Sequence, residues 1–212
     1  MSPYAYLPML THVVCHHTLT YQSSTGHSGH ITALECSLSR AVGGDDAKEA
    51  EGSDARGLLF FTGAQDGYVR VWDPRQSRAV SEIPAHVGRG RDGSTGSGAV
   101  HTIALAERGA LLVTGGADGA VCTYDARASF RARACFRPAH SDFVYAMRVV
   151  GDSVVTGGGG GDVILSALAD GVEQMRLRGS RVGAVRCIEA DQSTLVVAGD
   201  DGDVACWLFA PQ

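Results

Sequence analysis

Apolar and polar residues alternate along this chain in short bursts, and that period of two predicts β-strands, since side chains two apart on a strand share a face. ITALECSL (31–38), LLFFTG (58–63), YVRVWD (68–73) and AVSEIP (79–84) make a first series of four. Shorter echoes follow: AVHTIAL, VYAMRVV and AVRCIEA read as first strands of further units, and ACFRPAH and EQMRLRG as later ones. Each unit therefore reads as a four-stranded antiparallel meander. Scarce helix-periodic stretches and 28 glycines fit strands joined by turns.

Four times a hydrophobic strand ends in a tight turn of Asp-Gly type and resumes as a second strand. The segments are LLFFTGAQDGYVRVWD, LLVTGGADGAVCTYD, SVVTGGGGGDVILSA and TLVVAGDDGDVACW. The first turn residues, Asp66, Asp118, Gly160 and Asp201, are spaced by 52, 42 and 41 residues, and Trp72, Tyr124, Ser166 and Trp207 close the units at similar spacing. A period near forty predicts stacked units, because one such sheet cannot bury its own apolar face.

On these residues the chain resembles the WD-repeat β-propeller family over roughly residues 26 to 208. In that family a His, a strand Ser/Thr, the turn Asp and a Trp form a buried hydrogen-bonded tetrad. The resemblance assigns those places to His27, Thr62, Asp66 and Trp72 in the first unit and to His86, Thr114, Asp118 and Tyr124 in the second. The third keeps His140 and Thr156 but has Gly160 and Ser166, and the fourth has Arg181, Val197, Asp201 and Trp207. The expected fold is an all-β propeller with blades at about 27–84, 86–137, 140–178 and 181–208. Such propellers usually close with seven blades, so the resemblance implies a truncated product, a segment of a larger propeller, or a chain completed by a partner. The stretch HVVCHHTLTYQ reads either as the outer strand of a preceding blade or as a strand pairing with the last one.

Other chemistry fits less well. A recurring Thr, His and Asp suggests a hydrolase triad, but the hydroxyl precedes a turn with no GxSxG context, and recurrence blade by blade fits a structural network. The run of glycines at 157–161 lacks the Lys-Ser/Thr of a phosphate-binding loop and reads as a loosened turn that softens the third blade. Cys15, Cys36, Cys122, Cys135, Cys187 and Cys206 are dispersed, which predicts reduced and mostly buried thiols; Cys15-His16-His17 lacks a second ligand pair, so no metal and no other cofactor is expected. No convergent carboxylate or His cluster suggests an enzyme.

With 212 residues, 44% hydrophobic, and a net charge of −5, the chain can hold a sizeable core and lacks the basic balance of a duplex nucleic-acid binder. MSPYAYLPMLTHVV supports neither a signal peptide nor a membrane span, so the cytoplasm or nucleus is expected. Polar, Gly-rich insertions at 42–57 and 87–99 are expected to be mobile.

The resemblance implies a non-catalytic scaffold that binds proteins through its rim. It assigns Gln65, Ala117, Gly159 and Asp200, before each turn Asp, and His30, Thr32, His101, Phe143, Tyr145 and Arg186, near each first strand, as partner contacts; Phe143 and Tyr145 could equally be core. Trp72-Asp73-Pro74-Arg75 and Tyr124-Asp125-Ala126-Arg127 are similar to the paired motif of substrate receptors of cullin-4-type ubiquitin ligases, which would make Arg75 and Arg127 adaptor contacts. Phosphopeptide or phosphoinositide binding through Arg178, Arg181 and Arg186 is a further alternative.

Overall fold

The computed structural model describes residues 26–37, 59–76, 78–88, 98–106, 109–138, 140 and 142–209. Its strands follow the alternation. Blade one contains β1 (Ile31–Ser37), β2 (Leu59–Ala64), β3 (Val69–Trp72) and β4 (Ser81–Ile83). In blade two lie β5 (Val100–Ala106), β6 (Leu111–Gly116), β7 (Val121–Asp125) and β8 (Arg131–Phe136), and in blade three β9 (Val144–Val150), β10 (Ser153–Gly158), β11 (Asp162–Ala167) and β12 (Glu173–Arg178). Blade four has β13 (Val185–Ala190), β14 (Thr194–Gly199) and β15 (Val204–Leu208). Each sheet is an antiparallel meander in chain order, the last with three strands among the described residues. The four are arranged as a β-propeller. The insertion at 42–57 and the stretch HVVCHHTLTYQ lie wholly, and the insertion at 87–99 largely, outside the described residues.

The repeated turn has one backbone requirement. Gly67, Gly119, Gly161 and Gly202, which follow the first turn residue, all have positive φ between 72° and 87°, a region that costs a side chain strain.

Blades pack through a repeated lock. A Cβ on Gly63, Gly115 or Gly157 would lie 2.6, 2.8 or 2.6 Å from a methyl of Val100, Val144 or Val185, the buried valine that opens the next blade. Three apolar clusters result, between blades one and two, two and three, and three and four. Among the described residues no such cluster joins blade four to blade one.

Two sequence expectations change. Gly157 and Gly158 belong to strand β10, not to a loosened turn. Their missing side chains admit Val185 and His140, and Gly159 is likewise packed by Asp142, so close approach accounts for the first three glycines of the run. The cysteines also differ: Cys122 and Cys135 face each other across β7 and β8 and are joined as a disulfide. Register brings together two residues that looked dispersed. Cys36, Cys187 and Cys206 are exposed rather than buried, and Cys15 lies outside the described residues.

Candidate protein-binding surface

The polar residues that recur most visibly are bound up in structure. In blade one Trp72 Nε1–H donates to Thr62 Oγ1 at 2.8 Å, Thr62 pairs with His27 Nε2 at 2.7 Å, and His27 Nδ1 meets the Asp66 carboxylate at 3.0 Å. Asp66 also accepts the amides of Ser28 and Tyr68. Burial alone would raise its pKa, but those amides, with His27 and Arg70, hold it below 3.8. Blade two repeats the set in a drier setting: His86 Nδ1 lies 2.8 Å from Asp118 and His86 Nε2 lies 3.0 Å from Thr114. Tyr124 stands in the tryptophan position, yet its hydroxyl donates to the Ala85 carbonyl at 3.3 Å rather than to Thr114. A phenol reaches a different acceptor from an indole.

Blade three lacks half the set. His140 Nε2 pairs with Thr156 at 2.8 Å, but Gly160 offers no carboxylate, and His140 Nδ1 and Ser166 Oγ are buried without a hydrogen-bond partner. In blade four the turn Asp201 accepts the Arg181 amide at 2.7 Å, and buried Val197 stands in the Thr place.

This network fastens turns to strands. Thr62→Ala is expected to cost about 2 kcal/mol in a urea denaturation, since it strips partners from both a buried indole and a buried imidazole. Arg70 was not foreseen: it lies in the same blade, nearly buried, and binds Asp66 at 3.1 Å and Glu82 at 3.0 Å. Alternation from Trp72 already put it on that face.

The rim carries a more telling feature. In each blade the first strand has a β-bulge at its start: Ile31 and Ala33 pair with consecutive residues of β2, and so do Val100 and Thr102 on β6, Val144 and Ala146 on β10, and Val185 and Cys187 on β14. The residues skipped are Thr32, His101, Tyr145 and Arg186. A bulge re-aims its side chain out of the alternation. All four therefore point from the same place in successive blades and help line one groove of about 360 Å³ bordered by the four first strands.

Three of them touch. The His101 and Tyr145 rings are 5.0 Å apart, Phe143 meets Tyr145 edge-on at 5.9 Å and His101 at 6.1 Å, and the Arg186 guanidinium lies 4.4 Å over the Tyr145 ring. Asp200 grips Arg186 with both oxygens, at 2.7 and 3.1 Å. That carboxylate is held below its usual range, first by Arg186 and then by the Ala184 amide. His101 is lowered by burial foremost, with nearby His86 and Arg186 adding to the effect. The patch thus combines partly exposed aromatic faces with a charged pair set over one of them.

Of the rim residues expected from sequence, Phe143, Tyr145, Arg186, Asp200 and His101 come together here. Gln65 sits in the blade-one turn, its backbone N–H donating to the His30 carbonyl at 3.0 Å. Thr32 donates to the carbonyls of Gly63 and Val100, so it ties blade one to blade two.

At the ends of β3 and β7 the two Asp-x-Arg segments fold alike, with the amides of Arg75 and Arg127 each donating to the preceding Asp at 2.9 Å. Arg75 also folds its guanidinium onto Asp73, which brings that carboxyl down to about 2. Arg178 is paired with Asp162 at 3.0 Å and Arg186 with Asp200. No group of three or more His, Cys, Asp or Glu side chains arranged to hold a metal occurs among the described residues, and no helix among them is long and apolar enough to cross a membrane.

Known proteins place the fold. The family model "WD domain, G-beta repeat" matches residues 49–73. The chain is similar to the computationally designed Ika4 protein, at 19% identity and TM-score 0.61, over 87% of this chain and 94% of that one. It is also similar to the RRP9 WD40 repeats (22%, TM-score 0.65, 86% of this chain and 49% of that one) and to U3-55K (21%, TM-score 0.66, 87% and 50%). It therefore spans about half the length of these last two. Among curated proteins, no sequence matches. Residues 49–73 match a WD repeat, and the chain has the WD-repeat β-propeller fold, with four blades among the described residues.

Proposed function

We propose that this chain is a non-catalytic scaffold that helps assemble a protein complex in the cytoplasm or nucleus, and that it grips a partner through His101, Phe143, Tyr145, Arg186 and Asp200. The row of bulges is the observation that carries this reading. A bulge sacrifices ladder hydrogen bonds, and here four of them turn one side chain per blade toward a common groove. Tyr145 and Arg186 are of the side-chain types enriched at interface hot spots, and Phe143 and His101 pack beside them. The recurring Thr, His and Asp are engaged in holding turns, which favours a structural role for them over that of a hydrolase triad.

The test is comparative capture. Tyr145→Ala and Arg186→Ala are expected to weaken recovery of a co-purifying partner from cell extract by at least about thirtyfold, the value of a hot spot of 2 kcal/mol, while melting temperature is unchanged. Equal recovery of the same proteins by both variants would overturn the assignment.

A second surface has support in the matching Asp-x-Arg turns of blades one and two, whose arginine side chains are 58% and 59% exposed. An adaptor of cullin-4 type is the partner that this pair suits. Joint replacement of Arg75 and Arg127 by alanine is expected to abolish capture of that adaptor. Phosphate binding has less support, because Arg178 and Arg186 are already matched by carboxylates.

A further inference from the structure

We propose that two copies of this chain join head to tail, blade four of each packing on blade one of the other, to close a single eight-bladed ring.

The two ends of the array carry the two halves of the joint that holds its interior together. At every internal joint three side chains meet: a valine at the first or second position of the third strand of one blade, and two residues from the first strand of the next. Between blades one and two these are Val69, Val100 and Ile103, which share a cluster and are 0%, 0% and 6% exposed. Val121, Val144 and Met147 repeat the trio at 0%, 0% and 4%. Val163, Val185 and Ile188 do so again at 0%, 0% and 6%.

Strand register identifies the fourth set. Val204 faces Ala198 just as Val69 faces Gly63, Val121 faces Gly115 and Val163 faces Gly157. Ile31 precedes the bulge of β1 as Val100, Val144 and Val185 precede theirs, and Leu34 faces Thr62 as Ile103 faces Thr114. Yet Val204, Ile31 and Leu34 are 70%, 60% and 65% exposed. Three positions buried at every internal joint are bare at the two ends. They are also complementary: blade four offers the valine and blade one offers the two residues that cover it. Cys206, in register with buried Val71, extends the bare face of blade four.

A patch on one end that fits a patch on the other makes a heterologous contact, which closes into a ring or runs on as a filament. Closure with two copies gives eight blades, within the range of about four to eight known for propellers, and three copies would exceed it. Ala198 stands where the internal joints have glycine, so this joint is a methyl thicker than the others.

The experiment is light scattering and native mass measurement on the full chain at micromolar concentration, with Leu34→Glu and Val204→Arg. Wild type is expected at twice the chain mass. Each variant alone is expected at the single-chain mass, with an unchanged circular dichroism spectrum because each side chain is exposed in the isolated chain. An equimolar mixture is expected to return to the double mass, since one of its two joints is wild type and the other pairs the new Glu with the new Arg. Should Val204→Arg not fold, Val204→Ser is expected to weaken association at least tenfold. A single-chain mass for wild type would overturn the proposal. So would a double mass that both variants retain, a failure of the mixture to associate, or a ladder of larger masses in place of a closed pair.

Discussion

Asp118→Ala is expected to destabilise the protein by about 3 kcal/mol, lowering the melting temperature by about 6–12 °C. The carboxylate and His86 are both fully buried and 2.8 Å apart, and Asp118 also accepts the Ala120 amide at 3.0 Å. Alanine would leave an imidazole nitrogen and a backbone N–H without partners in a dry interior, where each unmet group costs about 1–3 kcal/mol. Asp118→Asn keeps an acceptor oxygen and is expected to lose about a third as much. Burial by itself would raise the Asp118 pKa, but His86 and the Ala120 amide more than offset that and hold it below 3.8. A folded pKa below the unfolded one means stability that is fully present above pH 3.8 and is lost as pH falls through the folded value. An alanine variant that melts with wild type at pH 7 would sink this account, and its acid limb should be shallower than that of wild type.

Gly160→Asp is expected to act in the opposite direction, stabilising blade three by about 1–2 kcal/mol. His140 Nδ1 is buried and unpartnered, at the place where Asp66 and Asp118 serve His27 and His86. The left-handed residue of this turn is Gly161, φ 87°, so a side chain at 160 is not opposed by backbone strain. The effect has a pH signature. Burial, against the opposing charge of Asp162, lowers His140 from 6.5 to about 4. The folded chain thus favours the neutral ring, and between pH 6.5 and about 4 the unfolded chain binds the extra proton. Stability contributed at neutral pH is lost as pH falls through that window, by roughly 3 kcal/mol in all. A carboxylate at 160 would favour the charged ring, raise the His140 pKa and flatten that loss. An NMR titration of His140 together with chemical denaturation at pH 7 and 5 checks both; no gain in stability with an unmoved titration would refute the idea.

These two blades show how the sequence conveys its information. Period-two alternation and the Asp-Gly turn are local, because a strand's facing and a turn's left-handed residue depend on a few neighbours. The strands, the tetrad places at His27, Thr62, Asp66 and Trp72, and the gap at Gly160 could all be read from them. Features set by register could not. A bulge leaves no mark in composition, so the common aim of His101, Tyr145 and Arg186 was invisible even though the residues themselves were legible as rim candidates. Cys122 and Cys135 looked unrelated until β7 and β8 were aligned, and the glycine run looked loose until His140, Asp142 and Val185 were found packed against it.

The four repeats and their all-β character were legible in the sequence, since each repeat carries its own strand pattern and turn. Only the tertiary structure decided which side chains the bulges turn into a common groove, which buried polar atoms lack a hydrogen bond, and that Ile31, Leu34 and Val204 are exposed where their counterparts between blades are buried. Those are questions of which strand lies beside which, and by how many residues it is offset, and a one-dimensional pattern does not specify an offset.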